Sequence, residues 1–222
     1  MSNGHDGHPF DDAASAFEDE GPGISLAGPK TLAMDPDEVH PPGRVMELAA
    51  AAVRFMFASL KIEPDFSREA LAFLDHYTTE ARAAVAERPE TLPLTAHTLG
   101  AYLGEVVRRH HRCWWRIDPA DPSAWRLEFG NVFLAFYPVQ VMHTALRREE
   151  EEGSFSGFEL DARSQAELAE RLEQLPGVSE ETYFTPSLKV EVLDILVDAL
   201  LAKRARDPDS ARPYVPADYE AH

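Results

Sequence analysis

Arginine, glutamate and aromatic side chains occupy alternate positions of three predicted strands. They are the side chains of this sequence best suited to bind a ligand. The strands are predicted at 113–117, 125–129 and 132–137, and the two-residue turn Gly130-Asn131 joins the last two. Because successive side chains of a strand point to opposite sides, one side of this sheet, here called the mixed face, collects five candidate ligand-binding residues. These are Trp114, Arg116, Arg126, Glu128 and Tyr137. They can hold an anionic or planar group, or they can form an ordinary cross-strand ion-pair cluster.

A sixth candidate ligand-binding residue, Glu105, lies on a helix predicted to begin near Thr95. Apolar residues at helical spacing flank it, so it is expected near the core. Together with a second carboxylate it could act as a general base. It could equally form an ion pair with Arg108 or Arg109 of the same helix, and we favour this interpretation.

His110, His111 and Cys113 lie close together in the sequence, as metal ligands often do. A zinc site needs further ligands, and neither a CxxC nor an HxxxH pair occurs. We therefore predict a helix-to-strand junction here, with no metal and no cofactor. Cys113 could act as a nucleophile if a neighbouring base lowered its pKa, but packing as a small apolar residue is the favoured interpretation.

The last predicted helix, 186–206, carries apolar residues around most of its circumference. That pattern predicts the most deeply buried helix of the fold, with Ile195 in its core. Glu191, Asp194 and Asp198 follow one line along this helix and could hold a hard cation. A solvated polar stripe is the favoured explanation of these three carboxylates.

The elements that position these side chains predict an α+β protein, with helices packed on a small three-stranded antiparallel meander and with disordered acidic tails. We expect a disordered acidic tail at 1–42, a single α+β domain at 43–206 and a Pro-rich disordered tail at 207–222. Gly100 and Gly104, four residues apart, predict a helix surface that another backbone approaches closely.

The formal charge of −18 over 222 residues argues against partners that attract basic surfaces. Residues 1–43 carry a net charge of −8 and residues 207–222 carry −3, so the remaining residues carry −7. Nucleic acid and anionic membrane surfaces both need concentrated positive charge, so we expect neither as a partner. The single cysteine fits a reducing compartment, and no signal peptide or apolar span is visible, so we expect a cytoplasmic protein.

Two helix motifs and a Trp-containing strand resemble a group of uncharacterised bacterial proteins. The segments are SREALAFLD at 67–75 and LGAYLGEVVRR at 99–109, followed by the Trp-rich strand, and the likeness covers roughly residues 44–146. The resemblance implies a similar fold over that range and implies no activity or catalytic residue. The matching positions are Ser67, Leu71, Leu74, Asp75, Tyr102, Leu103, Gly104, Glu105 and Trp115.

Common signatures of cofactor, nucleotide, serine-hydrolase and zinc-protease sites are absent from the sequence. We therefore expect a non-enzymatic cytoplasmic module that binds another protein, with the acidic tails modulating the contact. The alternative is a small-ligand-binding protein or an enzyme that uses the mixed face together with Glu105.

Overall fold

The computed structural model describes residues 40–149, 157–166, 177–206 and 212–220. The helices are α1 (Gly43–Leu60), α2 (Leu71–Glu87), α3 (Leu92–His110), α4 (Pro138–Arg147), α5 (Glu180–Tyr183) and α6 (Pro186–Arg204). The strands are β1 (Cys113–Arg116), β2 (Arg126–Phe129), β3 (Ala135–Phe136) and β4 (Phe158–Glu159). This arrangement confirms the predicted α+β class. The predicted N-terminal tail falls, up to residue 39, outside the described residues.

Helix α3 is the centre of the fold, with α1 and α4 packed along it. Its residues from Thr98 to Val107 are all buried. A Cβ atom at Gly100 would lie 2.7 Å from Cα of Val139 on α4, and one at Gly104 would lie 2.2 Å from the indole ring of Trp115. Both distances are too short for non-bonded atoms. The predicted close approach of another backbone is confirmed at Gly100, whereas the group that lies close to Gly104 is the Trp115 side chain.

Helix α6 is half-buried, and the prediction that it is the most deeply buried helix is wrong. Leu193 is fully buried, whereas 41% of Ile195 is exposed. The apolar residues surround most of the helix, so their spacing could not reveal which side faces the core. The helix begins where Thr185 accepts a hydrogen bond from the Leu188 N–H, with Pro186 in the first turn.

Among the described residues, the sheet has four antiparallel strands in the order β1-β2-β3-β4, one more than the predicted meander. Strand β4 was not expected, because it pairs with β3 over only two residues, Phe158 and Glu159. Strand β3 is also shorter than predicted. Cys113 pairs with Phe129 and Leu127 pairs with Phe136, and the sheet contacts α3 where the Trp115 indole of β1 donates to Glu105.

The β2–β3 connection is a four-residue loop rather than the predicted two-residue turn. The Phe129 N–H donates to the Leu134 carbonyl at 3.1 Å, so Gly130–Phe133 form the loop. The true register is therefore shifted by two residues from the predicted one. A shift of two keeps every side chain on its predicted face, because side chains alternate with a period of two.

Residues 212–220, here called the covering segment, lie against the mixed face. The segment ends in a 3₁₀ turn at Pro216–Tyr219, and its Tyr219 side chain is buried. The prediction of a disordered tail at 207–222 is therefore wrong for these nine residues. Composition indicated a tail because the segment is short and rich in proline, and its anchoring depends on distant partners in the sheet. Within the described ranges, no helix is both long enough and apolar enough to span a membrane.

Candidate functional site

The structure brings the five mixed-face candidates together around one fully buried carboxylate, Glu128. Glu128 accepts hydrogen bonds from the Trp114 indole at 3.0 Å, from Arg116 Nε at 2.6 Å and from Arg126 Nε at 2.9 Å. Strand alternation places these donors on β1 and β2 with the same orientation. Each Glu128 oxygen thus has at least one donor, as a buried charge requires.

Tyr137 extends this network towards the β4 edge of the sheet. Arg126 Nη1 donates to the Tyr137 hydroxyl at 3.2 Å, and that hydroxyl donates to Glu159 of β4. Burial, with the hydrogen bond to Glu159 adding to it, raises the pKa of Tyr137 to about 12. Tyr137 is therefore a neutral phenol at ordinary pH. Because it donates a hydrogen bond to Glu159, the neutral hydroxyl is a positioned hydrogen-bond partner rather than a general base.

The covering segment closes the mixed face from the outside. The Tyr219 ring stacks on Phe133 with centroids 4.8 Å apart and meets the Trp114 ring edge-on at 6.0 Å. Arg116 Nη2 donates to the Pro216 carbonyl at 3.1 Å and lies 3.7 Å from the Glu220 carboxylate. A short polypeptide segment therefore occupies the predicted site. We call the surface that it covers, formed by Trp114, Arg116, Phe133 and the β2–β3 loop, the seat.

The Tyr219 hydroxyl lies inside the β2–β3 loop. It is 3.2 Å from the Phe129 nitrogen and 3.1 Å from the Leu134 nitrogen, and 2.8 Å from the Phe129 carbonyl oxygen. A phenol has one proton and can accept two hydrogen bonds, so it can accept from both amides while it donates to one carbonyl. Sequence reasoning missed Tyr219, and no local pattern connects it with a loop more than eighty residues earlier.

Glu105 does not belong to the mixed face, which corrects the predicted six-residue site. It is fully buried on α3 and accepts from the Trp115 indole at 2.7 Å. Trp115 points to the opposite side of β1 from Trp114, so the sheet separates Glu105 from Glu128. Arg108 donates to both Glu105 oxygens at 2.9 Å, and the predicted ion pair within the helix is confirmed.

The side chains of Cys113 and His110, near the α3–β1 junction, make structural contacts. Cys113 is buried, and burial raises the pKa of its thiol, which disfavours the nucleophilic thiolate. His110 Nδ1 lies 2.7 Å from the Val106 carbonyl oxygen of the same helix. Across the part of the chain that the structure describes, no group of three or more His, Cys, Asp or Glu residues is placed to hold a metal ion.

Asp194 joins three parts of the chain. The predicted solvated stripe is confirmed for Glu191 and Asp198, which are exposed, whereas the partly exposed Asp194 side chain is ion-paired. Both guanidinium amino groups of Arg68 contact its two oxygens, and His111 Nε2 lies 2.9 Å from Oδ1. Burial lowers the pKa of His111, while Asp194 opposes that shift. Arg68 and Asp194 are 126 residues apart, so the helical line of acids gave no indication of this cluster.

No protein-family model, curated protein or solved structure matches this chain. The resemblance to uncharacterised bacterial proteins therefore stays a prediction. Two of its matching positions have structural roles: Asp75 accepts hydrogen bonds from the backbone and hydroxyl of Ser187 at the start of α6, and Ser67 Oγ accepts from the Ala70 N–H before α2.

Proposed function

We propose that this protein is a non-enzymatic interaction module that binds polypeptide segments of a partner protein through the mixed face of its sheet. One observation carries the proposal: this face already holds nine residues of polypeptide, the covering segment, through ring contacts, backbone hydrogen bonds and an ion pair. A surface that accommodates one short segment has the shape and the donors to accommodate another.

The polar groups of the mixed face give catalysis and small-ligand binding less support. Glu128 already accepts hydrogen bonds from three donors, and burial raises the pKa of Tyr137. A small anion that leaves the contacts of Arg116 and Arg126 with Glu128 in place would reach only the outward-pointing guanidinium nitrogens and would make no use of the aromatic rings. A polypeptide can keep those contacts and use the aromatic rings around them, since its carbonyl oxygens accept from outward-pointing guanidinium nitrogens.

We further propose a cytoplasmic location, supported by the single cysteine of the sequence. Cys113 is buried in the described part of the chain, where it packs as an apolar residue. In a reducing compartment it would stay a thiol.

The proposal is tested by crosslinking partners to defined positions of the full chain. A photoreactive residue at Phe133, at the rim of the mixed face, should crosslink to a partner protein from a lysate. The matched control places the same residue at Ile195, which is exposed on α6. Partners that crosslink equally from both positions, or from Ile195 alone, would contradict a role for the mixed face.

A further inference from the structure

We propose that the covering segment is a built-in competitor, and that the mixed face binds acidic, tyrosine-bearing segments of a partner protein by displacing it. This inference rests on the proposed function and adds two things to it: the chemistry of the partner and a mechanism of autoinhibition. The segment reads RPYVPADYE from 212 to 220, so its own residues define what the seat accepts.

The covering segment packs on an apolar cluster that is separate from the main core. Trp114, Ala135 and Tyr219 form this second cluster, with Phe133, Tyr137 and Tyr214 packed against it. The main core lies on the other side of the sheet and includes Trp115, Leu127 and Phe136. Lifting the segment would therefore uncover the mixed face while the main core stays closed.

The contacts of the seat specify four features of a bound segment. A tyrosine enters the β2–β3 loop with its hydroxyl, where backbone amides and carbonyls surround it. A carbonyl three residues earlier accepts from Arg116, and a carboxylate one residue later lies near the same guanidinium. At the other end, the Tyr214 N–H donates to the Gly130 carbonyl at 2.8 Å.

The charge around the seat favours acidic segments over basic ones. Arg116 faces the Glu220 carboxylate, and the Arg204 guanidinium lies over the Tyr214 ring at 4.7 Å. A lysine or arginine in place of Glu220 would meet Arg116 at short range. Like charges in contact disfavour a partner, so these arginines also provide specificity.

The covering segment is held in shape by its own side chains, as a preorganised ligand is. Asp218 accepts from Arg212 at 2.6 and 2.8 Å and from the Val215 N–H at 2.9 Å. These bonds lie within the segment and fix the turn that presents Tyr219. Preorganisation reduces the entropy lost on binding, so a short segment can occupy the seat.

The covering segment belongs to the same chain as the mixed face, so its competition with a partner segment is intramolecular. Only residues 207–211 separate the covering segment from Arg206, a span of at most about 20 Å. Short tethers give effective concentrations on the order of millimolar, so a partner segment of equal intrinsic affinity must exceed that concentration before it displaces the covering segment. Weakening the covering segment without touching the sheet should therefore open the seat.

Fluorescence anisotropy measures the binding of the fluorescein-labelled peptide RPYVPADYE to the full chain in three forms: wild type, Asp218→Ala and Tyr219→Ala. Asp218→Ala removes bonds within the covering segment alone, and Tyr219→Ala removes its anchor. Both variants should bind the peptide at least about tenfold more tightly than wild type, because the tethered competitor is weakened. Peptides with alanine for the second tyrosine or lysine for the final glutamate should bind more weakly.

Asp218→Ala leaves every residue of the sheet intact, so a lack of tighter peptide binding by this variant cannot be attributed to a damaged sheet. If this variant melts cooperatively and still does not bind the peptide more tightly than wild type does, the proposal is overturned. Equal binding of the peptide with lysine for the final glutamate would overturn the acidic specificity. A concentration-dependent dimer of Asp218→Ala that the peptide dissociates would identify the occupant as a second copy of this chain and overturn the assignment to a different protein.

The two proposals fail in different ways. Crosslinks from Phe133 to a partner, without any peptide binding by the opened variants, would overturn the built-in competitor and leave the interaction module standing. Peptide binding without any partner crosslinked at Phe133 would show a working seat and would count against the proposed function.

Discussion

At the scale of single residues, two buried glutamates on opposite sides of the sheet are stabilised by the same kinds of partner. Glu105 and Glu128 are both fully buried, and each forms an ion pair with arginine and accepts a hydrogen bond from a tryptophan N–H. Removing a charge from water costs several kcal/mol, which close pairing and full hydrogen bonding can offset. Both glutamates thereby serve as fixed connections between secondary-structure elements.

Replacing Glu105 should be strongly destabilising. Glu105→Ala leaves Arg108, whose side chain is only 14% exposed, without its carboxylate partner, and it leaves the Trp115 N–H without an acceptor. Loss of one partner from a buried pair typically costs about 3–5 kcal/mol, measured here as the free energy of unfolding in urea. Glu47→Ala, which breaks an exposed pair with Arg44, is the control and should have little effect.

Acid should destabilise the protein partly through His97. Burial lowers the pKa of His97 from its usual value of 6.5, and Asp121 opposes the shift. Below that usual value the unfolded chain binds the proton more readily than the folded chain does, so stability falls as the pH falls.

Thermal melts that bracket the ordinary histidine pKa, at about pH 7.5 and about pH 5.5, test this effect. His97→Gln should lose less stability than wild type over that interval. His40→Gln is the control, since His40 is exposed and lies outside the helices. An unchanged pH dependence in His97→Gln would show that this histidine is not responsible.

How far sequence could predict the site depended on the distance between partners along the chain. Glu105 and Arg108 are three residues apart on one helix, and strand alternation was enough to bring Arg116, Arg126 and Glu128 to one face. Arg68 in the turn before α2 and Asp194 on α6, by contrast, meet only because α2 and α6 pack together. Local periodicity carries no information about such a contact.

At the scale of secondary-structure elements, two glycines set how closely α3 approaches its neighbours. Alanine at Gly100 would collide with the α4 backbone at Val139, and alanine at Gly104 would collide with the Trp115 ring. Overpacking of this kind typically costs about 1–3 kcal/mol, which exceeds the roughly 1 kcal/mol gained in helix propensity. Gly100→Ala and Gly104→Ala should therefore both lower the free energy of unfolding. Gly43→Ala in the first turn of α1 meets nothing within 4 Å and should be neutral or stabilising.

Neighbouring aliphatic residues on α6 should respond very differently to truncation. Leu193→Ala removes a fully buried side chain and should cost about 2–5 kcal/mol, as deep aliphatic truncations do. Ile195→Ala should cost much less, because 41% of that residue is exposed. Equal losses in urea unfolding would contradict this orientation of α6. Sequence could place the helix but not its rotation, since apolar residues lie on nearly every side.

The sheet was also predicted correctly where neighbouring residues decide its structure and wrongly where a distant residue does. Alternation predicted both faces of the sheet, yet the predicted turn at Gly130-Asn131 was wrong by two residues. The observed four-residue loop surrounds the Tyr219 hydroxyl, which satisfies backbone groups that a tighter turn would have paired directly. A residue ninety positions away thus contributes to the loop conformation.

At the scale of the whole molecule, the covering segment should contribute measurably to stability while the rest of the fold survives its loss. Tyr219→Phe keeps the ring contacts and removes the hydroxyl from the β2–β3 loop, which should cost about 1–3 kcal/mol. For a domain of 150–250 residues, each kcal/mol lowers the melting temperature by roughly 2–4 °C.

Deletion of residues 212–222 should lower the melting temperature at least as far as Tyr219→Phe does, because it removes the ring contacts and the Arg116 bonds as well. The unfolding transition should remain cooperative, since the main core does not include the second apolar cluster. Scanning calorimetry of wild type, Tyr219→Phe and the deletion gives both quantities. A deletion that melts at the wild-type temperature would show that the segment does not hold the mixed face in solution. One that loses cooperative unfolding would show that the two clusters are a single core, and displacement by a partner would then require global unfolding.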